Sequence, residues 1–320
     1  MSQQKLNKAC RIAIKDCMAA KKGERILVVT DQKKYEIGRA LHLTAMDLGY
    51  ESLLIEMKAG EINGEEPAKE VAELMQSYDV VLCPTEKSLT HTDARRNASA
   101  KGVRVATFPG ITKDIMIRGL SADYKKIQTL TLKLKKLFEK TKIIHVTSQI
   151  GTDIKLDITG RKAIASKGLF HRSGEGGNLP TGETFAAPLE GTTNGVFVVD
   201  GSMAGIGVIG NTPIKITVEN GYATAITGGA KAKKLRTMLE KYGKEAFSIA
   251  EIGIGANDKA KLSGFILEDE KVLGTAHIAL GNNITMGGHV NVPIHLDGVI
   301  KKPTIFFDKK EIMHKGKLLI

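Results

Sequence analysis

The feature that most constrains the fold is a change of sequence pattern near residue 141. Before it, short apolar runs such as "ERILVVTD" (24–31) and "DVVLCPT" (79–85) alternate with segments of helical spacing such as 33–49. Strands separated by helices predict βαβ units and a mostly parallel, doubly wound sheet. We therefore expect an α/β domain over residues 1–141, and 320 residues favour two domains over one.

Beyond residue 141 glycine becomes dense and short strands replace most helices. "VENGYATAI" (218–226) has Asn220-Gly221 between two alternating runs, which predicts a β-hairpin. One helix is expected at 229–243, between glycines. Residues 142–320 are therefore predicted to form a mainly antiparallel α+β domain, and the candidate catalytic residues concentrate there.

Composition excludes several classes of protein. The net charge is +12, from 47 Lys plus Arg and 35 Asp plus Glu, but the excess is spread over helices such as 123–142. No aromatic-rich motif accompanies it, so nucleic-acid binding is not expected. No apolar run is long enough for a membrane helix, and GxGxxG is absent. The 3 cysteines lack a disulfide or CxxC spacing, and the N-terminus lacks a secretory h-region, so we expect buried thiols in a reduced cytoplasm.

Ionisable residues interrupt the apolar pattern at four places after residue 170. In "VNVPIHLDGVI" (290–300), alternation predicts a strand that puts His295 and Asp297 on one side, about 7 Å apart at the backbone. The other stretches are 174–188, with Glu175 and Glu183, then 247–257, and 267–283. The last two contain Glu251 and His277, with an acidic turn at 268–270. Each alone is also typical of a loop carboxylate or a hydrogen-bonded core histidine.

The set is more informative than its members. Three carboxylates and two imidazoles converging in one place would carry too much negative charge for a dry cluster without a cation. Mixed nitrogen and oxygen donors suit Zn, Co, Mn or Fe better than Ca, and would suit two ions sharing a carboxylate. HExxH is absent, which excludes a helix-borne zinc protease site.

The motifs "NLPTGETFAAP" (178–188), "AEIGIGAN" (250–257), "LEDEKVLGTAHIALGNN" (267–283) and "PIHLD" (293–297) occur in this order, before a "KPTIFFD" strand. In this order they resemble the aminopeptidase T (thermophilic leucyl aminopeptidase) metallopeptidase family. The resemblance covers the second domain, and "SLTHTDARRNA" (88–98) extends it weakly into the first.

This resemblance implies a cytoplasmic, homodimeric metalloexopeptidase that removes N-terminal residues from peptides with two divalent ions per chain. The metal ligands that it implies are Glu183, Glu251, His277, His295 and Asp297. Glu251 is the expected bridge between the ions, which would activate a shared water. Two residues depart from the peptidase pattern: Gly182 replaces a glutamate, and Ile284 replaces a tyrosine.

Because Gly182 removes the obvious proton acceptor, Glu175 or Glu268 is the expected general base. His289 in "GGHVN" and His91 from the first domain are possible accessory groups.

Two other functions stay open at this stage. Some relatives of the same fold are iron-dependent dioxygenases that open dihydroxypyridine rings. In that case His277, His295 and Asp297 would supply the two imidazoles and one carboxylate typical of a non-haem Fe(II) centre. Glu183 and Glu251 would then lie behind the ligands. A non-enzymatic basic binding protein is the third hypothesis, and it leaves the ordered motifs unexplained.

Overall fold

The structure is a computed structural model that describes residues 2–320. The described chain divides into two compact units: the first contains residues 2–128 and 166–181, and the second contains 129–165 and 182–320. The α-helices are α1 Ser2–Ile12, α2 Tyr35–Asp47, α3 Lys69–Met75, α4 Asp93–Ala100, α5 Lys113–Gly119, α6 Tyr124–Phe138, α7 Gly229–Glu240 and α8 Ile266–Asp269. Among residues 2–320 no helix is long and apolar enough to cross a membrane.

The strands form three sheets. In chain order they are β1 Arg25–Asp31, β2 Glu51–Met57, β3 Val80–Cys83, β4 Arg104–Thr107, β5 Ile143–Thr147, β6 Asp153–Asp157, β7 Ile164–Ser166, β8 Gly176–Asn178, β9 Glu183–Ala186, β10 Asn194–Val199, β11 Ser202–Met203, β12 Gly207–Val208, β13 Ile214–Glu219, β14 Tyr222–Thr227, β15 Ile249–Gly255, β16 Thr275–Gly281, β17 His295–Lys301, β18 Thr304–Phe307, β19 Lys310–His314 and β20 Lys317–Leu318.

The first unit contains a five-stranded parallel sheet in the order β2-β1-β3-β4-β8. The inner strands β3 and β4 are buried along their whole length. That is typical of a parallel sheet covered by helices on both faces. The predicted doubly wound α/β fold is confirmed here.

The second unit contains two antiparallel sheets. The eight-stranded sheet has the order β14-β13-β10-β6-β5-β18-β19-β20, and the seven-stranded sheet has the order β12-β11-β17-β16-β15-β9-β7. One hydrophobic cluster includes side chains of both, such as Ile144 and Ile216 from the larger sheet and Ile252 and Ile278 from the smaller. The mainly antiparallel prediction is therefore confirmed.

The predicted hairpin at Asn220-Gly221 is confirmed. Glu219 pairs with Tyr222 across a two-residue turn in which Asn220 has φ 50° and Gly221 has φ 79°. Two positive φ angles define the turn type whose twist matches that of the flanking strands, which explains the Asn-Gly sequence.

The strand expected over 290–300 is shorter in the structure. It begins at His295, and residues 290–294 belong to the segment that joins β16 to β17. Pro293 lacks the N–H that a central strand must donate, so pairing starts only after it. The strand is also buried on both faces from Leu296 to Ile300, rather than on one.

Candidate metal centre

Four adjacent strands, β9, β15, β16 and β17, bring the five expected ligands together. Glu183 lies on β9, Glu251 on β15, His277 on β16, and His295 with Asp297 on β17. In the registers of this sheet, Glu251 lies opposite Ala279, which in turn lies opposite Asp297. Directly paired residues of antiparallel strands share a face, and so do alternate residues along a strand.

The opposite face of these strands carries the apolar anchors. Ile252, Ile278 and Leu296 alternate with the ionisable residues and pack into the core of the second unit. Period-two alternation therefore determines which side chains leave the core, and the residue paired between Glu251 and Asp297 is the small Ala279.

The polar atoms lie close enough to share a cation. His277 Nε2 lies 3.1 Å from Glu251 Oε1 and 3.5 Å from Glu183 Oε2. His295 Nε2 lies 3.4 Å from Glu251 Oε2 and 3.4 Å from Asp297 Oδ1. Two groups result, each with ligand atoms within 4.8 Å of one another: Glu183 with Glu251 and His277, and Glu251 with His295 and Asp297. Glu251 belongs to both, with one oxygen facing each histidine.

A glycine makes room for His277. Gly253 is its direct partner on β15, and a Cβ added there would lie 2.0 Å from His277 Nε2. The imidazole therefore lies over bare backbone at residue 253. No other amino acid fits beside the ring without displacing it.

A backbone carbonyl orients His295. Its Nδ1 lies 2.8 Å from the carbonyl oxygen of Asn282, in the segment between β16 and β17. A proton on Nδ1 would be donated to that carbonyl, which leaves Nε2 free as the metal-facing atom. The side chain of His295 is 31% exposed, whereas those of Glu183, Glu251, His277 and Asp297 are below 10%, so the centre opens to solvent beside His295.

Lys271 is buried at the edge of the cluster, with a side chain only 2% exposed. Its Nζ lies 2.9 Å from Glu183 Oε1 and also contacts Glu270 Oε1. In the acidic stretch expected as a turn at 268–270, Glu268 and Asp269 are buried as well.

Two buried atoms of the cluster have no hydrogen-bond partner among the described residues. They are Glu183 Oε2 and His277 Nδ1. A buried polar atom without a partner costs free energy, so an unpaired carboxylate oxygen beside an imidazole indicates a place for a further group.

The close packing of buried carboxylates and histidines shifts the pKa values of the cluster. Burial lowers the pKa of His277, but the bond to Glu251 and the charge of Glu183 outweigh it and raise the pKa to about 9. For His295, burial is likewise outweighed by Asp297 and Glu251, and its pKa rises well above the ordinary value. Burial raises the pKa of Asp297, yet the two imidazoles lower it overall. The pKa of Glu270 rises to about 8, chiefly through burial.

The raised pKa values favour the protonated forms of both histidines, which together with Lys271 offset the negative charge of the carboxylates. A divalent ion would replace the histidine protons, since imidazole binds metals in its neutral form. Buried carboxylates, two imidazoles and an unpaired oxygen form a donor set that suits a divalent metal.

The other expected residues lie elsewhere. Glu175 belongs to the first unit, where its carboxylate lies 2.9 Å from Lys167 Nζ and accepts the backbone N–H of His171. Glu268 is buried and its Oε1 accepts the backbone N–H of Lys261 at 3.0 Å. Neither residue belongs to the two ligand groups found among residues 2–320.

The two accessory histidines are exposed. His289 uses its backbone N–H to reach Glu190 Oε1 at 2.8 Å. His91 belongs to the first unit, just before α4, and its carbonyl oxygen accepts a bond from Arg96 Nη1 at 2.7 Å.

Sequence reasoning missed Lys271, Glu270 and Gly253. The signal for Lys271 was present, because a lysine directly after three acidic residues in an otherwise apolar stretch predicts an ion pair. Gly253 was visible only as one glycine of "EIGIG", and nothing in the chain marks it as the partner of His277.

Known structures share this fold. The structure of wild-type AmpT from Thermus thermophilus matches with a TM-score of 0.71 and 16% identity, covering 100% of both chains. The structure of 2,5-dihydroxypyridine dioxygenase from Pseudomonas putida KT2440 matches with a TM-score of 0.86 and 20% identity, covering 100% of this chain and 98% of that one. At these identities both matches show the fold alone.

Sequence comparison adds a curated relative, the 2,5-dihydroxypyridine 5,6-dioxygenase of Pseudomonas putida KT2440. It is 24% identical over 250 residues, which cover 72% of this chain and 69% of the relative.

The assignment to the aminopeptidase T family, and with it the expected metalloexopeptidase and hydrolase activity, is wrong. A model of a different family matches residues 5–320, and AmpT shares only the fold. The quoted motifs contribute to the strands of the candidate metal centre. They are therefore characteristic of the fold and not of one reaction. The expected roles of Glu175 and Glu268 as peptidase bases fall with that assignment. The chain belongs to the NicX family, described as 2,5-dihydroxypyridine 5,6-dioxygenase.

Proposed function

We propose that this protein is an iron-dependent dioxygenase that opens the ring of 2,5-dihydroxypyridine or a close analogue. The observation that carries the proposal is that His277, His295 and Asp297 lie on one sheet face, linked by Glu251, which contacts both histidines, in a chain that belongs to this family. Two imidazoles and one carboxylate are the ligand set of non-haem Fe(II) oxygenases.

In this proposal one Fe(II) per chain would be held by His277, His295 and Asp297, which belong to two ligand groups that share Glu251. Bound ferrous iron would supply the redox chemistry by which dioxygen reacts with an electron-rich ring. The carbonyl of Asn282 would keep His295 Nε2 directed at the ion.

Glu183 is the candidate proton acceptor. Its Oε1 is held by Lys271 at 2.9 Å, whereas Oε2 is buried, has no hydrogen-bond partner among the described residues, and lies 3.5 Å from His277 Nε2. Burial outweighs the charge of Lys271 and raises the pKa of Glu183, which suits a base that holds a proton after taking it. We propose that Oε2 takes the proton of a ring hydroxyl, which makes the ring electron-rich. The substrate would enter beside the partly exposed His295.

The test is oxygen uptake by protein loaded anaerobically with Fe(II). With 2,5-dihydroxypyridine, we expect loss of ring absorbance with one O2 consumed per ring. The matched analogue 2-hydroxypyridine, which lacks the 5-hydroxyl, should give at least a hundredfold slower uptake. Absence of uptake with 2,5-dihydroxypyridine at full iron loading would overturn the proposal.

The expected homodimer stays a proposal that rests on the first resemblance only. Light scattering coupled to gel filtration would test it, and a mass near 34.5 kDa, that of one chain, would refute it.

A further inference from the structure

The ligand atoms of the centre fall into two groups that share Glu251, an arrangement that could hold two cations. The groups are not equivalent. The one formed by Glu251, His295 and Asp297 has no lysine within ion-pair distance among the described residues. The other joins Glu183 to Glu251 and His277, so a second ion would have to bind Glu183, which already has an ammonium group 2.9 Å away.

That ammonium cannot be displaced easily. The Lys271 side chain is 2% exposed, and its Nζ lies between Glu183 Oε1 and Glu270 Oε1. Removing it would deprive the buried carboxyl groups of Glu183 and Glu270 of the ammonium that contacts both, which is strongly unfavourable. A divalent ion binding at Glu183 would have to lie beside a positive charge that is tied to the chain, in a site with little water to screen the repulsion.

We propose that Lys271 takes the place of a second metal ion and so limits this centre to one divalent ion per chain. Its ammonium offsets the charge of Glu183 through Oε1, and it leaves Oε2 of that carboxylate without a hydrogen bond and able to act on substrate. Lys271 is thus a positioning residue for Glu183. This inference rests on the proposed function for the role of Glu183, but the limit on ion number does not need it.

The experiment counts metal, not turnover. Metal-free protein is equilibrated with Mn²⁺, freed of unbound ion by gel filtration, and analysed for Mn per chain. We expect one ion in the natural chain, two in Lys271→Met, and one in Lys271→Arg, the matched control that keeps the charge. One ion in a folded Lys271→Met, or two in the natural chain, would overturn the inference.

A second pair of variants covers the case in which Lys271→Met does not fold. Glu183→Gln should still bind one ion, within about threefold of the natural affinity, because Glu183 pairs with the lysine and not with metal. Asp297→Asn should lose at least a hundredfold. A comparable loss in Glu183→Gln would make Glu183 a ligand and refute the proposal.

The two proposals fail separately. A chain that binds one Mn²⁺, gains a second in Lys271→Met, and yet does not consume O2 with the dihydroxypyridine would refute the reaction only. A working dioxygenase whose Lys271→Met variant is folded and holds one ion would refute the role of Lys271 only.

Discussion

The imidazole of His277 fills the space that a side chain at residue 253 would need. Because the added Cβ of Gly253→Ala would lie 2.0 Å from Nε2, the ring must turn away from the carboxylates. We expect metal affinity to fall about tenfold to a hundredfold, as for other changes that misdirect a ligand. Competition with a chelator of known affinity measures this change.

Ile252→Val is the control for Gly253→Ala. It trims one methyl group on the core face of the same strand and should cost about 1 kcal/mol of unfolding free energy. Its metal affinity should stay unchanged. Natural affinity in Gly253→Ala would show that the ring does not need this space.

The three thiols are buried, and the structure predicts that they are inert. Burial raises the pKa of Cys10 and of Cys83 to about 12, and raises that of Cys17 well above its ordinary value. The thiolate is the reactive form, so native protein at about pH 8 should not react with DTNB within minutes. All 3 should react in guanidinium chloride. Rapid labelling of native protein would contradict the burial.

At the scale of elements, the segment between β16 and β17 supports the centre. It carries the Asn282 carbonyl that orients His295, and it is held by Glu190. Glu190 Oε1 accepts the Asn283 side-chain amide at 2.9 Å and the backbone N–H of His289 at 2.8 Å, while Oε2 pairs with Arg161.

Glu190→Gln weakens the hydrogen bonds that hold the segment between β16 and β17, so it should lower the free energy of unfolding by an amount that depends on pH. Burial raises the pKa of Glu190, but the His289 N–H, the Asn283 amide and Arg161 outweigh it, so the folded pKa lies below the ordinary 4.5. A depressed pKa stabilises the fold above the unfolded pKa, and this gain disappears as pH falls through the folded value. We expect Glu190→Gln to cost about 1–2 kcal/mol at pH 7 and progressively less below about pH 4.

Denaturant unfolding at several pH values measures the Glu190 effect. Glu139→Gln is the control, because Glu139 makes a half-exposed i,i+4 pair with Lys135 worth at most about 0.5 kcal/mol. A gap between natural protein and Glu190→Gln that does not depend on pH would contradict the assignment.

At the scale of the whole molecule, metal should stabilise the fold. The ion binds a centre that exists only when β9, β15, β16 and β17 are paired, so binding is coupled to folding of the second unit. Saturation at a hundred times the Kd should add about 2.7 kcal/mol to the free energy of unfolding. Thermal unfolding with and without Mn²⁺ or Fe(II) measures the gain.

Asp297→Asn and His295→Ala are the controls for this gain. Both remove a proposed ligand, so added metal should no longer raise their melting temperatures. A metal-dependent rise that persists in His295→Ala would place the ion elsewhere.

Much of the fold followed from pattern. Alternating helices and apolar runs predicted the parallel sheet, and Asn220-Gly221 predicted the hairpin, because both depend on local preferences. The late start of β17 was missed although Pro293 signals it in the sequence, and the pairing of His295 with Gly281 shows where the strand begins. The reaction was predicted wrongly because the motifs determine which metal-ligand atoms the strands place at the centre. The same ligand atoms can serve more than one reaction.

By itself, the sequence determined that His295 and Asp297 leave their strand on one side, because side chains alternate at period two whatever the surroundings. It also determined that carboxylates and histidines interrupt apolar runs. Buried carboxylates need a balancing positive charge, so a cation was expected. Only the tertiary structure decided that Gly253 lies under His277, that the Asn282 carbonyl orients His295, and that Lys271 holds Glu183. These contacts join residues from different strands and loops, and the balance of buried charge depends on all of them at once.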